Sequence, residues 1–396
     1  MLVKLSFEVL SMKVVQVYGG AVLGILGGHE YVVRRLSEEL SKSGFKIILL
    51  CPTRQSRLIS NEVKGVVHLE IPSYFLSARL CLPRLSFLPS IVNALRNADL
   101  VHVHCTDNPF SFIVALFTKF LRKRLVITVL AYGDDFKHHE RVKRAFGFFT
   151  TFQHTIAIWL SNKVHVESQY DIDKLHVYKE KTVMIPPGIE DLVLKAKPSR
   201  DSVKKMVEKL KPYEKGKIIL FLGRIHKGKG IFHALSALSI LRETINANLV
   251  IAGPSSSILM DIEKYVRNRG LENNVIYLGR ITDEEKIALL DMVDVVVVPS
   301  LSDIVEAYSI VSSEAWARKK PVVAYAVGAL KYRIKPGING YLARPLDQRD
   351  LANKIAKALC NHLNFKLPYD IWSWSKVTAQ FRRTYVSLVE TFRNSS

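Results

Sequence analysis

A chain of 396 residues, 48% hydrophobic and 23% charged, is long enough for two domains with separate cores and too apolar to stay disordered. Lys and Arg number 57 against 36 Asp and Glu, a net charge of +21 that draws the protein to phosphates, nucleic acid or an anionic membrane without choosing among them. The four cysteines, Cys51, Cys81, Cys105 and Cys360, form no CxxC pair, which argues against a zinc site or disulfide framework and for a reducing cytoplasm.

The first residues hold too short an apolar run, and no small-residue cleavage pattern, for a signal peptide. Met12 directly precedes the first convincing strand, so either Met1 or Met12 serves as a start. No uninterrupted apolar window reaches the roughly 18 residues of a membrane span, and any membrane contact is expected to be peripheral.

Lys13–Tyr18 reads as a buried strand. It runs into a glycine-rich loop ending Gly27-Gly28-His29, and an amphipathic helix follows at about residues 30–43. Strand, glycine loop and helix in that order open a doubly wound α/β domain and bring a phosphate or sugar close to the backbone. Strand-like runs recur at 46–50, 100–104, 125–130, 163–166 and 182–185 with helical patterns among them, the alternation of a parallel sheet flanked by helices. His102 and His104 alternate with valines and read as hydrogen-bonded structural residues. Beyond Leu130, the polar residues Asp134, Asp135 and His138 are candidates for acceptor contacts or plain loop residues.

From Lys119 to Phe149 basic and aromatic residues interleave. Eight Lys/Arg stand against three acids between Lys119 and Arg144. At about 1 kcal/mol per excess charge on an anionic leaflet, the sum of roughly 5 kcal/mol suits reversible docking. A solvated basic face is the plainer alternative, with the aromatics in the core.

Residues 195–216 are polar, Lys-rich and bounded by proline, and the domain boundary is expected there: 1–198, then 199–370, with 371–396 a helical tail. The second domain opens on the strand Lys217–Leu222, followed by Gly223, Arg224 and Lys229 in a glycine-spaced turn. A guanidinium fork and a point charge five residues apart suit a diphosphate, at about 1.5 to 3 kcal/mol per charge-assisted contact. Residues 294–299 form an apolar β-branched run ending on Pro299. Glu306 and Glu314 follow, eight apart, with Ile310, Val311, Ala315 and Trp316 making an apolar helix face. Glu306 is expected in the loop ahead of that helix, one acid at the mouth of a cleft and the other on its wall. The small Ala307 and Ser309 mark the turn, and free N–H groups near Ser309 and Ile310 would face an anion.

Taken in order, these motifs resemble the signatures of the family 4 glycosyltransferases, retaining enzymes of the GT-B fold, over about residues 14–385. The matching pieces are the GGHE loop, Pro186-Pro187-Gly188, the GR…KG turn of Gly223, Arg224 and Lys229, the E-x7-E pair with Ala315 and Ala317, the Val327-Gly328-Ala329 turn, and Trp374. The resemblance implies an α/β GT-B fold: two Rossmann-like, doubly wound domains with the C-terminal helix crossing back to the first. It implies transfer of a hexosyl unit from a UDP- or GDP-linked sugar to a hydroxyl of a glycan or lipid-linked acceptor at the inner membrane surface. Arg224 and Lys229 would bind the pyrophosphate, Glu306 would lie beside the sugar, and Glu314 would hold the ribose. Gly223, Ser309, Ile310, Gly27 and Gly28 would complete the donor contacts. No metal, no further cofactor and no nucleic acid are expected. Leu130 stands where the family commonly has His, Ser309 where a Gly is common, and Lys331 where a Glu often follows the glycine turn. A non-catalytic nucleotide-sugar-binding protein and a nucleotide-sugar epimerase of the same fold stay open as alternatives.

Overall fold

The computed structural model describes residues 12–19, 27–76, 80–105, 108–130, 141–255 and 258–393, with the side chains of 141–146, 392 and 393 outside the description. The chain divides into two compact units, residues 1–188 with 374–396, and residues 189–373.

The first unit is a parallel sheet with helices on its faces. In chain order it runs β1 (Lys13–Tyr18), α1 (Gly28–Lys42), β2 (Lys46–Thr53), β3 (Ile59–Val63), β4 (Val66–Phe75), β5 (Cys81–Pro83), α2 (Leu88–Arg96), β6 (Leu100–His104), α3 (Pro109–Phe120), β7 (Arg124–Thr128), α4 (Arg141–Leu160), β8 (Lys163–Val166), α5 (Gln169–Lys174) and β9 (Thr182–Met184). The strand order is β3-β4-β2-β1-β6-β7-β8-β9, with β5 paired to β4, and β3 and β5 antiparallel. The chain leaves β1 toward β2 and β4, then returns to lay β6 against the other side of β1, so the order reverses between β1 and β6. Such reversals are where doubly wound sheets bind ligands. Gly27 and Gly28 lie at the start of the helix after β1, Gly27 as its N-cap.

The second unit repeats the plan. Its elements are α6 (Asp191–Lys195), α7 (Arg200–Leu210), β10 (Lys217–Leu222), α8 (Ile231–Leu241), β11 (Ala247–Ala252), α9 (Leu259–Asn268), β12 (Val275–Gly279), α10 (Asp283–Met292), β13 (Val295–Val298), α11 (Ile310–Ala317), β14 (Val322–Tyr325), α12 (Leu330–Arg333), β15 (Gly340–Ala343) and α13 (Gln348–Cys360). The order β12-β11-β10-β13-β14-β15 again reverses, here between β10 and β13. All four valines of β13 are buried, as covering both faces of a parallel strand requires. Each unit buries its own large aliphatic core.

The tail forms α14 (Trp374–Arg393) and belongs to the first unit. Phe381 packs on His165 at 4.8 Å between ring centroids, and the Tyr385 hydroxyl reaches His102 at 2.6 Å. The division between units falls at 188/189, ten residues before the expected 198/199. Charge and proline content suggested a linker, but Val193 is buried against Ile287, and Arg318 donates to the carbonyls of Val193 and Ala196, which ties α6 to the second unit. Among the described residues no helix is long and apolar enough to cross a membrane.

Candidate active site

The site is built at the reversal point of the second unit, from the turns that follow β10 and β13. After β10 the chain passes through Gly223 at φ 121, Arg224 and a single 3-10 turn, Lys227–Lys229, before Gly230 starts α8 at φ 74. Only glycine serves at 230: its φ is left-handed, and a Cβ there would overlap the Pro299 carbonyl at the end of β13. That close approach brings the two turns together. The Leu301 N–H donates to the Gly228 carbonyl at 3.0 Å, and the open face of Gly223 lies against Val311 on α11.

Lys229 and Glu306 meet across this junction. The Lys229 ammonium donates to Oε1 of Glu306 and, at 3.2 Å, to the Val305 carbonyl, while Ser300 Oγ donates to the same carboxylate oxygen at 2.7 Å. Glu306 is buried and closes a 3-10 turn, Ile304–Glu306, ahead of α11, as the sequence suggested. Arg224 is exposed, and among the described residues no hydrogen bond or ion pair engages its guanidinium. His226 sits between these charges; burial lowers its pKa first, and Arg224 and Lys229 push it further down against the opposing pull of Glu306. The neutral imidazole is thus favoured, beside two cations.

Ser309 caps α11 at φ 76, a conformation that taxes any residue but glycine, and its hydroxyl meets that of Ser312 at 2.8 Å. The N–H groups of Ile310, Val311 and Ser312, in the first turn of α11, have no backbone acceptor among the described residues. Holding this turn is the buried Arg333. It donates to the carbonyls of Tyr308 and Ser309 at 2.7 and 3.1 Å, to Ser313 Oγ and Asp370 Oδ2 at 2.6 Å each, and its guanidinium lies 3.9 Å from the Tyr308 ring centroid.

Glu314 stands two turns further on, on α11, and does not touch Glu306. Its partner is Lys286 of α10, 2.6 Å away, which also contacts Asp283 at 3.0 Å. Burial works against the Lys286 ammonium, but the Glu314 and Asp283 carboxylates outweigh it and raise its pKa. Lys331, which follows the Val327-Gly328-Ala329 turn, donates to Asp303 at 3.0 Å, and the same carboxylate oxygen accepts the Gly328 N–H at 2.6 Å.

Sequence reasoning missed Lys286, Arg333, Asp303 and Ser300. Of these only Ser300, next to Pro299 at a strand end, carried a local signal. The acceptor-side candidates Asp134, Asp135 and His138 lie outside the described residues. Leu130 is partly buried just past the end of β7. The histidines set aside in the sequence, His102 and His104, are wholly buried and hydrogen-bonded in the first unit, with Thr128, His165, Gln16 and Tyr385.

Two doubly wound units, with a glycine-bearing turn and a paired lysine and glutamate at the reversal point of the second, define an α/β protein of the GT-B fold. The family model described as Glycosyltransferase Family 4 matches residues 26–191, and that described as Glycosyl transferases group 1 matches residues 202–368. The chain belongs to the group 1, family 4 glycosyltransferases. An uncharacterized glycosyltransferase of Methanocaldococcus jannaschii is 31% identical over 182 residues, 44% of this chain and 46% of that protein, so the match spans about half the relative's length. Phosphatidyl-myo-inositol mannosyltransferase of Mycobacterium leprae is 24% identical over 91% of this chain and 92% of its own. Among solved structures, sucrose-phosphate synthase of Thermosynechococcus elongatus superposes with a TM-score of 0.74 at 20% identity, covering 96% of this chain and all of that one. HepE of Anabaena, solved with UDP-glucose, gives 0.65 at 16% identity over 97% of this chain and 100% of its own.

Proposed function

We propose that the protein transfers a hexosyl unit from a UDP- or GDP-linked sugar to an acceptor hydroxyl, with retention at the anomeric carbon and without a metal ion. The observation that carries this reading is the meeting of Lys229 and Glu306 at the reversal point, beside an unengaged Arg224. An exposed guanidinium, a lysine close by in sequence and the unpaired N–H groups opening α11 form a cationic set suited to a diphosphate. As the sugar–oxygen bond breaks, charge accumulates on the departing diphosphate. Donors already in place there stabilise it at no cost in reorganisation.

Glu306 has two tasks in this scheme. It holds the Lys229 ammonium in the turn before the donor arrives, and afterwards its carboxylate faces the sugar. Glu314 accepts from the ribose hydroxyls, with Lys286 fixing its rotamer. UDP-glucose in HepE and the mannosyl transfer named for the mycobacterial relative favour a nucleoside-diphosphate hexose as donor and support a lipid-linked or glycan acceptor. The net charge of +21 supports peripheral contact with the cytoplasmic leaflet.

Thermal unfolding against a panel of UDP-, GDP- and ADP-sugars and the bare diphosphates tests the reading. One base should stand out, with about 2.7 kcal/mol of stabilisation at 100 times its dissociation constant. No shift with any member of the panel would overturn it.

A further inference from the structure

Helix α4 turns its large aromatic residues outward. Thr150, Gln153 and His154 are buried beneath it with Ala157 and Ile158, whereas Phe148, Phe149, Phe152 and Trp159 stand outward, 65% exposed at Phe148 and 73% at Trp159. At 100° per residue these four fall within one stripe about 100° wide, so the exposure is a continuous face and not scattered tips. The face continues onto the neighbouring elements. Phe120, 84% exposed, ends the helix before β7, and Val177, 76% exposed, lies in the turn before β9. Strands β7, β8 and β9 are parallel neighbours, so the segments leading into them, with the exposed Phe120, Trp159 and Val177, lie at the same end of the sheet.

Cations line this end of the sheet, with the exposed Glu180 among them. Lys119 and Arg122 flank Phe120, and Lys179 is exposed two residues from Val177. Lys181 donates to the carbonyls that end α4, at 2.5 Å to Ile158 and 3.3 Å to Trp159. Burial and then the Lys119 charge depress its pKa, which places the two cations within electrostatic reach of each other. Lys123 takes no part: its ammonium is spent on the carbonyls of Arg96 and Ala98, at 2.6 and 2.9 Å.

We propose that the outward face of α4, with Phe120 and Val177 at its cationic edge, is the surface by which the protein docks on an anionic lipid bilayer. A Trp and Phe stripe ringed by Lys and Arg is what an interfacial helix presents to headgroups and upper acyl chains. A second copy is the less suitable cover. A two-fold interface through this face would bring its cations against their own images, on chains already carrying +21 each. The proposal names the surface for the peripheral contact proposed above and is independent of the transfer chemistry, because vesicle binding is read without donor.

The test is flotation of the full chain with phosphatidylcholine vesicles, with and without phosphatidylglycerol, alongside Phe152→Ser/Trp159→Ser and Lys119→Glu. The native chain should float only with the anionic lipid. Losing two exposed aromatics should weaken that binding tenfold or more, with the UDP- or GDP-induced thermal shift retained as the sign of an intact fold. Equal flotation of native and double-variant chains would overturn the proposal, as would absence of flotation by the native chain. So would a concentration-dependent dimer that the double variant abolishes, which would assign the face to self-association.

Discussion

Lys229 and Glu306 come from turns 77 residues apart in sequence, yet the ammonium of one rests on the carboxylate of the other. Glu306 is 2% exposed, and its other polar contact on that oxygen is the Ser300 hydroxyl, so Lys229 is the charge that makes an ionised carboxylate tolerable there. The pair is thus a fold element and, in the proposed function, the arrangement of the site before the donor binds.

Removing one partner should therefore cost more than removing both. Lys229→Met leaves the buried carboxylate without its counter-charge. Because Lys229 keeps about a quarter of its side chain in solvent, the expected loss is about 2 kcal/mol, below the range for fully buried pairs. Adding Glu306→Gln to that variant should restore most of the loss, and urea unfolding of the two single variants and the double forms the cycle that reads it. Equal losses in Lys229→Met and the double variant would refute the coupling.

Arg224 and Glu314 should separate cleanly, since each is assigned to a different part of the donor. Arg224 is exposed and unengaged, so Arg224→Ala should leave unfolding unchanged while weakening both nucleoside diphosphate and inorganic pyrophosphate tenfold or more. Glu314→Ala should weaken the nucleoside diphosphate by a similar factor but spare pyrophosphate, which has no ribose. Calorimetric titration with both ligands distinguishes the two. Loss of pyrophosphate binding in Glu314→Ala would mean that the Lys286–Glu314 pair shapes the phosphate site itself.

What the sequence made legible was local. The β10 strand and its Gly223–Lys229 turn, the buried run of β13, and Glu306 ahead of its helix all follow from short-range patterns of apolarity and glycine, and the structure has them. Lys286 and Arg333 were illegible for the opposite reason. Glu314 and Asp370 lie 28 and 37 residues away from them, on other elements, and nothing near a lysine in a helix or an arginine beside a turn marks it as paired there. The compact units divide before α6, ahead of the Lys-rich stretch, because α6 buries Val193 in the second unit while keeping its charges outside. Of the two readings of residues 119–149, the one that puts the aromatics in the core fails at Phe120, Phe148 and Phe149, which are exposed, while on α4 the polar Gln153 and His154 are buried alongside Ala157 and Ile158.

Acid should unfold the first unit through its histidines. The Ile185 carbonyl accepts at 2.8 Å and can be served only by an N–H, so His165 Nε2 donates to it. In the neutral ring Nδ1 then accepts the Thr128 hydroxyl proton at 2.9 Å. That leaves the Thr128 oxygen to accept from His102 Nε2 at 2.7 Å, and His102 Nδ1 to accept the Tyr385 hydroxyl at 2.6 Å. Each step uses a neutral imidazole, and burial holds all three histidines there: His102 and His104 well below the ordinary value, His165 at about 4. The folded pKa values lie under the unfolded 6.5, so the unfolded chain takes up protons first. The stability these groups contribute is complete above pH 6.5 and is lost as pH falls toward 4, roughly 3 kcal/mol for His165 alone. Urea midpoints measured from pH 7 to pH 4.5 should fall throughout that window, before most carboxylates titrate, and His165→Gln should reduce the slope by about 1.4 kcal/mol per pH unit. A flat profile over the same range would show that the network accepts a proton without breaking, and that Tyr385 of α14 is not held by a neutral ring.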